Sequence, residues 1–135
     1  MPSWDSNLYL RFTNERLQPA IDLAARVALE SPARVADLGC GPGSSTAVLA
    51  RRWPHAALTG VDNSPAMLAA AREDHPHWSW TGDDITTWQA DVPFDLVFSN
   101  AALQWVPNHL YEFRRLLDQV APGGAFAVQI PAKAP

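Results

Sequence analysis

A single cysteine among 135 residues excludes an internal disulfide framework and fits a reducing compartment. No apolar run approaches the length of a membrane-spanning helix and no signal peptide opens the chain, so a cytoplasmic protein without membrane contact is expected. Basic runs are missing too. With a net charge of −4 and a pI near 5.4, a surface that binds nucleic acid is not expected. There is no Ser-His-Asp set at usable spacing. His55, His75, His77 and His109 sit in loops or at helix starts, read as solvated, and form no pair with metal-ligand spacing, so no metal is expected. Internal repeats and low-complexity segments are absent despite 12 prolines and 6 tryptophans. The length fits one domain, long enough to bury roughly two-thirds of its unfolded surface.

What is present is organised around Val35-Ala36-Asp37-Leu38-Gly39-Cys40-Gly41-Pro42-Gly43-Ser44-Ser45. The apolar run reads as a buried strand, and the segment from Ser44 as a helix. Three glycines at alternate positions lie between them, where positive φ or close backbone approach to a ligand is needed. The following helix N-terminus offers unpaired N–H groups. The spacing is G-x-G-x-G, not the G-x-G-x-x-G of a dinucleotide site. Asp37, two residues before the first glycine, would repel a pyrophosphate but suits a ligand with positive charge near the turn. S-adenosylmethionine, with its sulfonium and ammonium groups, is such a ligand. Cys40, inside the turn, reads as a small buried residue rather than a nucleophile.

In chain order, Met1 to Thr13 is rich in aromatic residues around Arg11 and is expected to pack over something. Asn14-Glu15-Arg16 or Gln18-Pro19 opens a helix with Ile21, Ala24, Ala25 and Ala28 on one face, ended by Ser31-Pro32. Strands are expected over Arg34–Leu38, Ala57–Val61, Trp78–Thr81, Phe94–Phe98 and Ala125–Ile130. Helices are expected over Gly43–Arg52, from Ser64-Pro65 onward, and from an Asn108 cap through Leu110, Phe113, Leu116, Leu117 and Val120. Pro122-Gly123-Gly124 reads as a turn. Strands alternating with helices, with short apolar runs, predict an α/β fold with a doubly wound, mostly parallel sheet. Ligands in such sheets bind at strand carboxyl ends, where strand order reverses. Asp37, Asp62, Asp84 and Asn100 all fall at or just after such ends.

Asp62 follows Gly43 by nineteen residues and is placed either to accept ribose hydroxyls or to act as a helix N-terminal charge. The D-x-G-x-G-x-G stretch from Asp37 resembles motif I of the class I S-adenosylmethionine-dependent methyltransferases. That resemblance implies that Asp84 accepts from an adenine amino group, with the Ile85 backbone against the ring; the residues alone equally allow Asp84 to be a turn cap, with Asp83 the bystander. Asn100 is expected to bond the methionine part of the ligand through its backbone. Gln104 and Trp105 either wall a methyl-transfer chamber, with cation–π contact to a sulfonium, or pack helix against sheet. Methylating a carboxylate oxygen needs no general base, since that oxygen is already charged at neutral pH.

These segments are similar to trans-aconitate 2-methyltransferases, within the class I S-adenosylmethionine-dependent methyltransferases. The resemblance is carried by Trp4 to Phe12, Val35 to Thr46, Thr59 to Leu68, Asp84 to Trp88, and Asn100 to His109. The run Asn-Ala-x-Leu-Gln-Trp-x-Pro-x-His is its narrowest part. It implies monoesterification of a small di- or tricarboxylate with S-adenosylmethionine as donor. Asp37, Gly39, Gly41, Gly43, Asp62, Asp84, Ile85 and Asn100 would hold the cofactor, and Arg11 is a candidate partner for cofactor or substrate carboxylate. A carrier-bound carboxylate, or cofactor binding without turnover, are the alternatives. The family's strand order implies 3-2-1-4-5 here, followed by two strands and a helical cap beyond residue 135. One domain over 1–135 is therefore expected, incomplete at its C-terminus, with an aromatic segment and helix over 1–30. Strand five would then be an unprotected edge through which the chain self-associates.

Overall fold

The computed structural model describes residues 17–100, 103 and 107–130. The aromatic N-terminal segment with Arg11, and Gln104 and Trp105, lie outside the described residues, as do 131–135. Helix α1 is Gln18–Arg26 and β1 is Arg34–Leu38; α2 (Ser44–Arg52) and β2 (Ala57–Asp62) follow. Then come α3 (Pro65–Asp74), β3 (Ser79–Gly82), β4 (Phe94–Asn100), α4 (His109–Leu117) and β5 (Val120–Gln129). All strand pairs are parallel and the order is β3-β2-β1-β4-β5, as expected. No helix among the described residues is long and apolar enough to cross a membrane.

β1 is central. Its residues Val35 to Leu38 are buried on both faces, because β2 and β4 flank it and helices cover each side. On one face Ala20, Ile21 and Ala24 of α1 pack with Val35, Val48, Leu49, Leu96, Phe98 and Ala127. On the other, Ala36, Leu38, Val61 and Val97 pack with Trp88, Leu103 and Leu116. The chain leaves β1 toward β2 and returns across it to β4. That reversal opens a crevice at the carboxyl ends of β1 and β4.

Local chemistry explains most boundaries. Pro65 occupies the first turn of α3, and Ser64 Oγ accepts the Met67 N–H at 3.3 Å. Pro19 occupies the first turn of α1. Three expectations need correction. First, α1 stops at Arg26 rather than at Ser31, because Val27 turns extended and Trp53 Nε1 donates to the Leu29 carbonyl at 3.0 Å. Second, Asn108 makes no side-chain cap: its φ is +55°, a left-handed conformation that asparagine tolerates. Third, Val120 belongs to β5, and Pro122-Gly123-Gly124 is a bulge within the ladder rather than a turn. The register runs Phe94↔Val120 and then Leu96↔Ala125, so four residues of β5 stand opposite the single Asp95, three more than a regular ladder holds. A Cβ on Gly124 would lie 2.5 Å from the Asp95 carbonyl oxygen. On its outer side β5 has no strand partner among the described residues.

Aromatic residues fill the outer end of the sheet. Trp80 on β3 lies across Gly60 of β2 and donates Nε1–H to the His75 carbonyl at 2.9 Å. His75 stacks on Trp78 with centroids 4.4 Å apart. It is half-buried rather than solvated, because the end of α3 seats it against these indoles. A Cβ at Gly60 would lie 2.4 Å from the Trp80 ring and 2.9 Å from Cys40 Sγ. Gly60→Ala is therefore expected to cost about 1–3 kcal/mol in denaturant unfolding, the range for overpacking a filled core. Adding Trp80→Leu should recover part of that loss; no recovery would place the strain elsewhere.

Candidate functional site

The glycine turn after β1 is bent back over the end of β2. The N–H groups of Gly39 and Cys40 both donate to the Val61 carbonyl, at 2.7 and 3.0 Å. Gly39, Gly41 and Gly43 all take positive φ (72°, 57° and 99°), which accounts for the alternate spacing. At Gly41 the space a Cβ would enter holds no atom within 4 Å. The turn is thus an open backbone cradle at the crevice.

Asp37 stands below it with 1% exposure. Its Oδ2 accepts the hydroxyls of Ser45 and Thr46, each at 2.7 Å, from the first turn of α2. Its Oδ1 is buried with no partner. Burial pushes the carboxyl up to about 6, against the lowering effect of the two hydroxyls, and the Asp62 charge adds to the rise. A carboxylate in this state favours a ligand that brings positive charge or N–H donors to Oδ1.

Asp62 ties two loops together. Its Oδ2 accepts the Gly41 N–H and its Oδ1 the Ser64 N–H, both at 2.9 Å. Each oxygen keeps a further lone pair, so the side chain is at once a brace for the cradle and an acceptor at its rim. Asp83 meets Asp62 only through its backbone N–H, at 3.2 Å from the Asp62 carbonyl oxygen.

Asp84 is exposed and caps its own turn. Oδ1 accepts the Thr86 N–H and hydroxyl, at 2.8 and 2.7 Å, and its carbonyl accepts the N–H groups of Thr87 and Trp88. The Thr86 hydroxyl and amide hold its carboxyl below the usual carboxylate range, with Asn63 adding to the effect. Ile85 leans on the second core. Asn100 ends β4 with its Oδ1 buried and without a partner.

Burial pushes the Cys40 thiol up, and the Asp37 and Asp62 charges add to this, so it stays protonated and unreactive. Among the described residues no cluster of His, Cys, Asp or Glu is arranged to hold a metal ion.

The structure thus brings Asp37, the glycines, Asp62 and Asn100 to one crevice edge, with Asp84 and Ile85 just beyond β3. It also adds residues that the sequence reading passed over. Ser45 and Thr46 fix Asp37; the signal was a Ser-Thr pair in the first turn of the helix after the glycines. Arg115 is a clamp. It donates to the carbonyls of Trp88, at 2.6 Å, and Ile85, and pairs with Glu112 at 2.9 Å, tying α4 to the Ile85 turn. Its signal was an arginine three residues after a glutamate on an apolar helix.

Residues 35–124 match the methyltransferase domain family. The chain belongs to that family. This methyltransferase domain is similar to trans-aconitate 2-methyltransferase of Rhodopseudomonas palustris strain BisA53, with 52% identity over 97% of the chain and 51% of that enzyme. The corresponding protein of Shigella flexneri serotype 5b is 50% identical over 97% of the chain and 52% of its own length. The chain spans about half the length of the curated relatives it matches. Among solved structures it is similar to a SAM-bound amino pentose methyltransferase from Micromonospora echinaspora, with a TM-score of 0.75 and 27% identity. That match covers 98% of this methyltransferase domain and 57% of the other chain.

Proposed function

We propose that this methyltransferase domain binds S-adenosylmethionine, and that the enzyme it forms esterifies one carboxyl group of a small di- or tricarboxylate, trans-aconitate first. The observation that carries the cofactor reading is the pairing of an open glycine cradle at Gly41 with the unpartnered, buried Oδ1 of Asp37. A site with an unpaired, buried carboxylate oxygen beside a half-buried glycine turn suits a cationic nucleoside ligand and disfavours a pyrophosphate. The substrate reading is supported by the names of the relatives at 50–52% identity.

On this reading Asp62 accepts the ribose hydroxyls while bracing the turn. Asp84 and the Ile85 backbone receive the adenine, held in place by Arg115. Asp37 and Asn100 face the amino-acid part. Bound here, the cofactor supplies an electrophilic methyl group. The chain's own contribution is alignment and exclusion of water. A carboxylate acceptor is ionised at neutral pH, so this reaction asks for no general base.

Incubation with methyl-labelled S-adenosylmethionine and a panel of carboxylates, amines, nucleic acid and protein tests the proposal. Label is expected in a base-labile ester of trans-aconitate or a close relative. Exclusive transfer to amines, nucleic acid or protein would overturn it.

A further inference from the structure

Among the described residues, three buried acceptor oxygens lack a hydrogen-bond partner: Asp37 Oδ1, Asn100 Oδ1 and Gln129 Oε1. Unpaired buried acceptors are uncommon, and each costs free energy that the fold must offset. These three are not scattered. Asn100 and Gln129 are register partners at the carboxyl ends of β4 and β5. Asp37 lies on β1, the other neighbour of β4, where it pairs with Phe98, two residues before Asn100.

Side chains alternate along a strand, so residues two apart share a face. Val35, Phe98 and Ala127 pack together on the α1 and α2 face. Asp37, Asn100 and Gln129 each come two residues later. Asp37 is confirmed on that face by its bonds to Ser45 and Thr46 of α2. All three orphan oxygens therefore look out from one face, at one edge, across three adjacent strands. None is a donor, so the seat fits a group that donates several N–H bonds.

We propose that Gln129, with Asn100, receives the ammonium group at the amino-acid end of the ligand. This rests on the S-adenosylmethionine reading above and extends it to β5, a strand that the sequence reading left out of the site. The polar Gln129 in the otherwise apolar run from Ala125 to Ile130 is then kept for binding, at the expense of stability.

The test is a calorimetric titration of the full 135-residue chain and its Gln129→Leu variant. The ligands are S-adenosylmethionine, S-adenosylhomocysteine and 5′-methylthioadenosine, which has no amino-acid part. Gln129→Leu is expected to weaken the first two by at least about tenfold, the loss of one hydrogen bond to a charged group. It should leave the third within about twofold. Its ligand-free melting temperature should equal or exceed that of the wild type, since an orphan acceptor is removed. Gln129→Glu, which keeps an acceptor at the position, should retain most of the affinity and guards against a misfolded leucine variant. Equal weakening of all three ligands, or unchanged affinity with a lowered melting temperature, would overturn the assignment of Gln129. A wild-type chain that binds none of the three would instead overturn the cofactor reading beneath it.

Discussion

Asp62→Ala is expected to weaken S-adenosylmethionine by about 2–4 kcal/mol, roughly 30- to 1000-fold in Kd, since hydrogen bonds to a charged acceptor are worth 1.5–3 kcal/mol each. Two effects combine. On the proposed reading the ribose loses its acceptor, and the glycine turn loses its brace, because Asp62 receives the N–H groups of Gly41 and Ser64. Asn cannot substitute cleanly. One end of its amide would present N–H to one of two N–H donors, so Asp62→Asn should lie close to the alanine variant. Asp83→Ala removes a side chain with no part in this geometry and should change affinity little. Equal losses for Asp62→Ala and Asp83→Ala, read by calorimetry, would refute the ribose assignment.

The second large effect concerns pH. Asp37 is buried and its carboxyl is pushed from 3.8 to about 6. In that window the folded chain holds a proton that the unfolded chain has released. The contribution of Asp37 to stability is therefore fully present below about pH 4 and lost as pH rises through about 6, a change of about 3 kcal/mol. Asp84, whose carboxyl is lowered, contributes a slope of opposite sign, so the two must be separated. The difference between wild type and Asp37→Asn separates them. An asparagine can still bond Ser45 and Thr46, whose hydroxyls both donate and accept. The variant should gain on the wild type by about 3 kcal/mol between pH 4 and pH 7 in denaturant unfolding. It should also bind a cationic ligand more weakly, and lose the rise in affinity that the wild type gains as pH climbs toward about 6, where Asp37 ionises. A constant difference across pH would mean Asp37 stays ionised in the fold.

Much of this was legible in the residues. β1 runs Arg34–Leu38 as expected, because a short apolar run is bounded by Pro32 and Gly39. Ser64-Pro65 starts α3 because cap and first-turn proline are local signals. Asp37, Asp62 and Asn100 reach one edge because parallel strands end there together. What was illegible depends on distant neighbours. Pro122-Gly123-Gly124 carries ordinary turn chemistry; only the close approach of Gly124 to the Asp95 carbonyl makes it a bulge. Gly60 gives no sign in sequence of the Trp80 ring lying over it. Asp84 carries two meanings at once, a turn cap by its observed bonds and an adenine acceptor by proposal, and spacing alone could not divide them. Gln129 passed unnoticed because a lone amide in an apolar strand acquires meaning only beside Asn100 and Asp37.

The most direct measurement is calorimetric titration of the wild-type chain with S-adenosylmethionine, S-adenosylhomocysteine and NAD. A crevice with a bare buried carboxylate oxygen beside its glycine turn should bind the first two at one site per chain and leave NAD without measurable heat. NAD binding more tightly than S-adenosylmethionine would contradict the account at its centre.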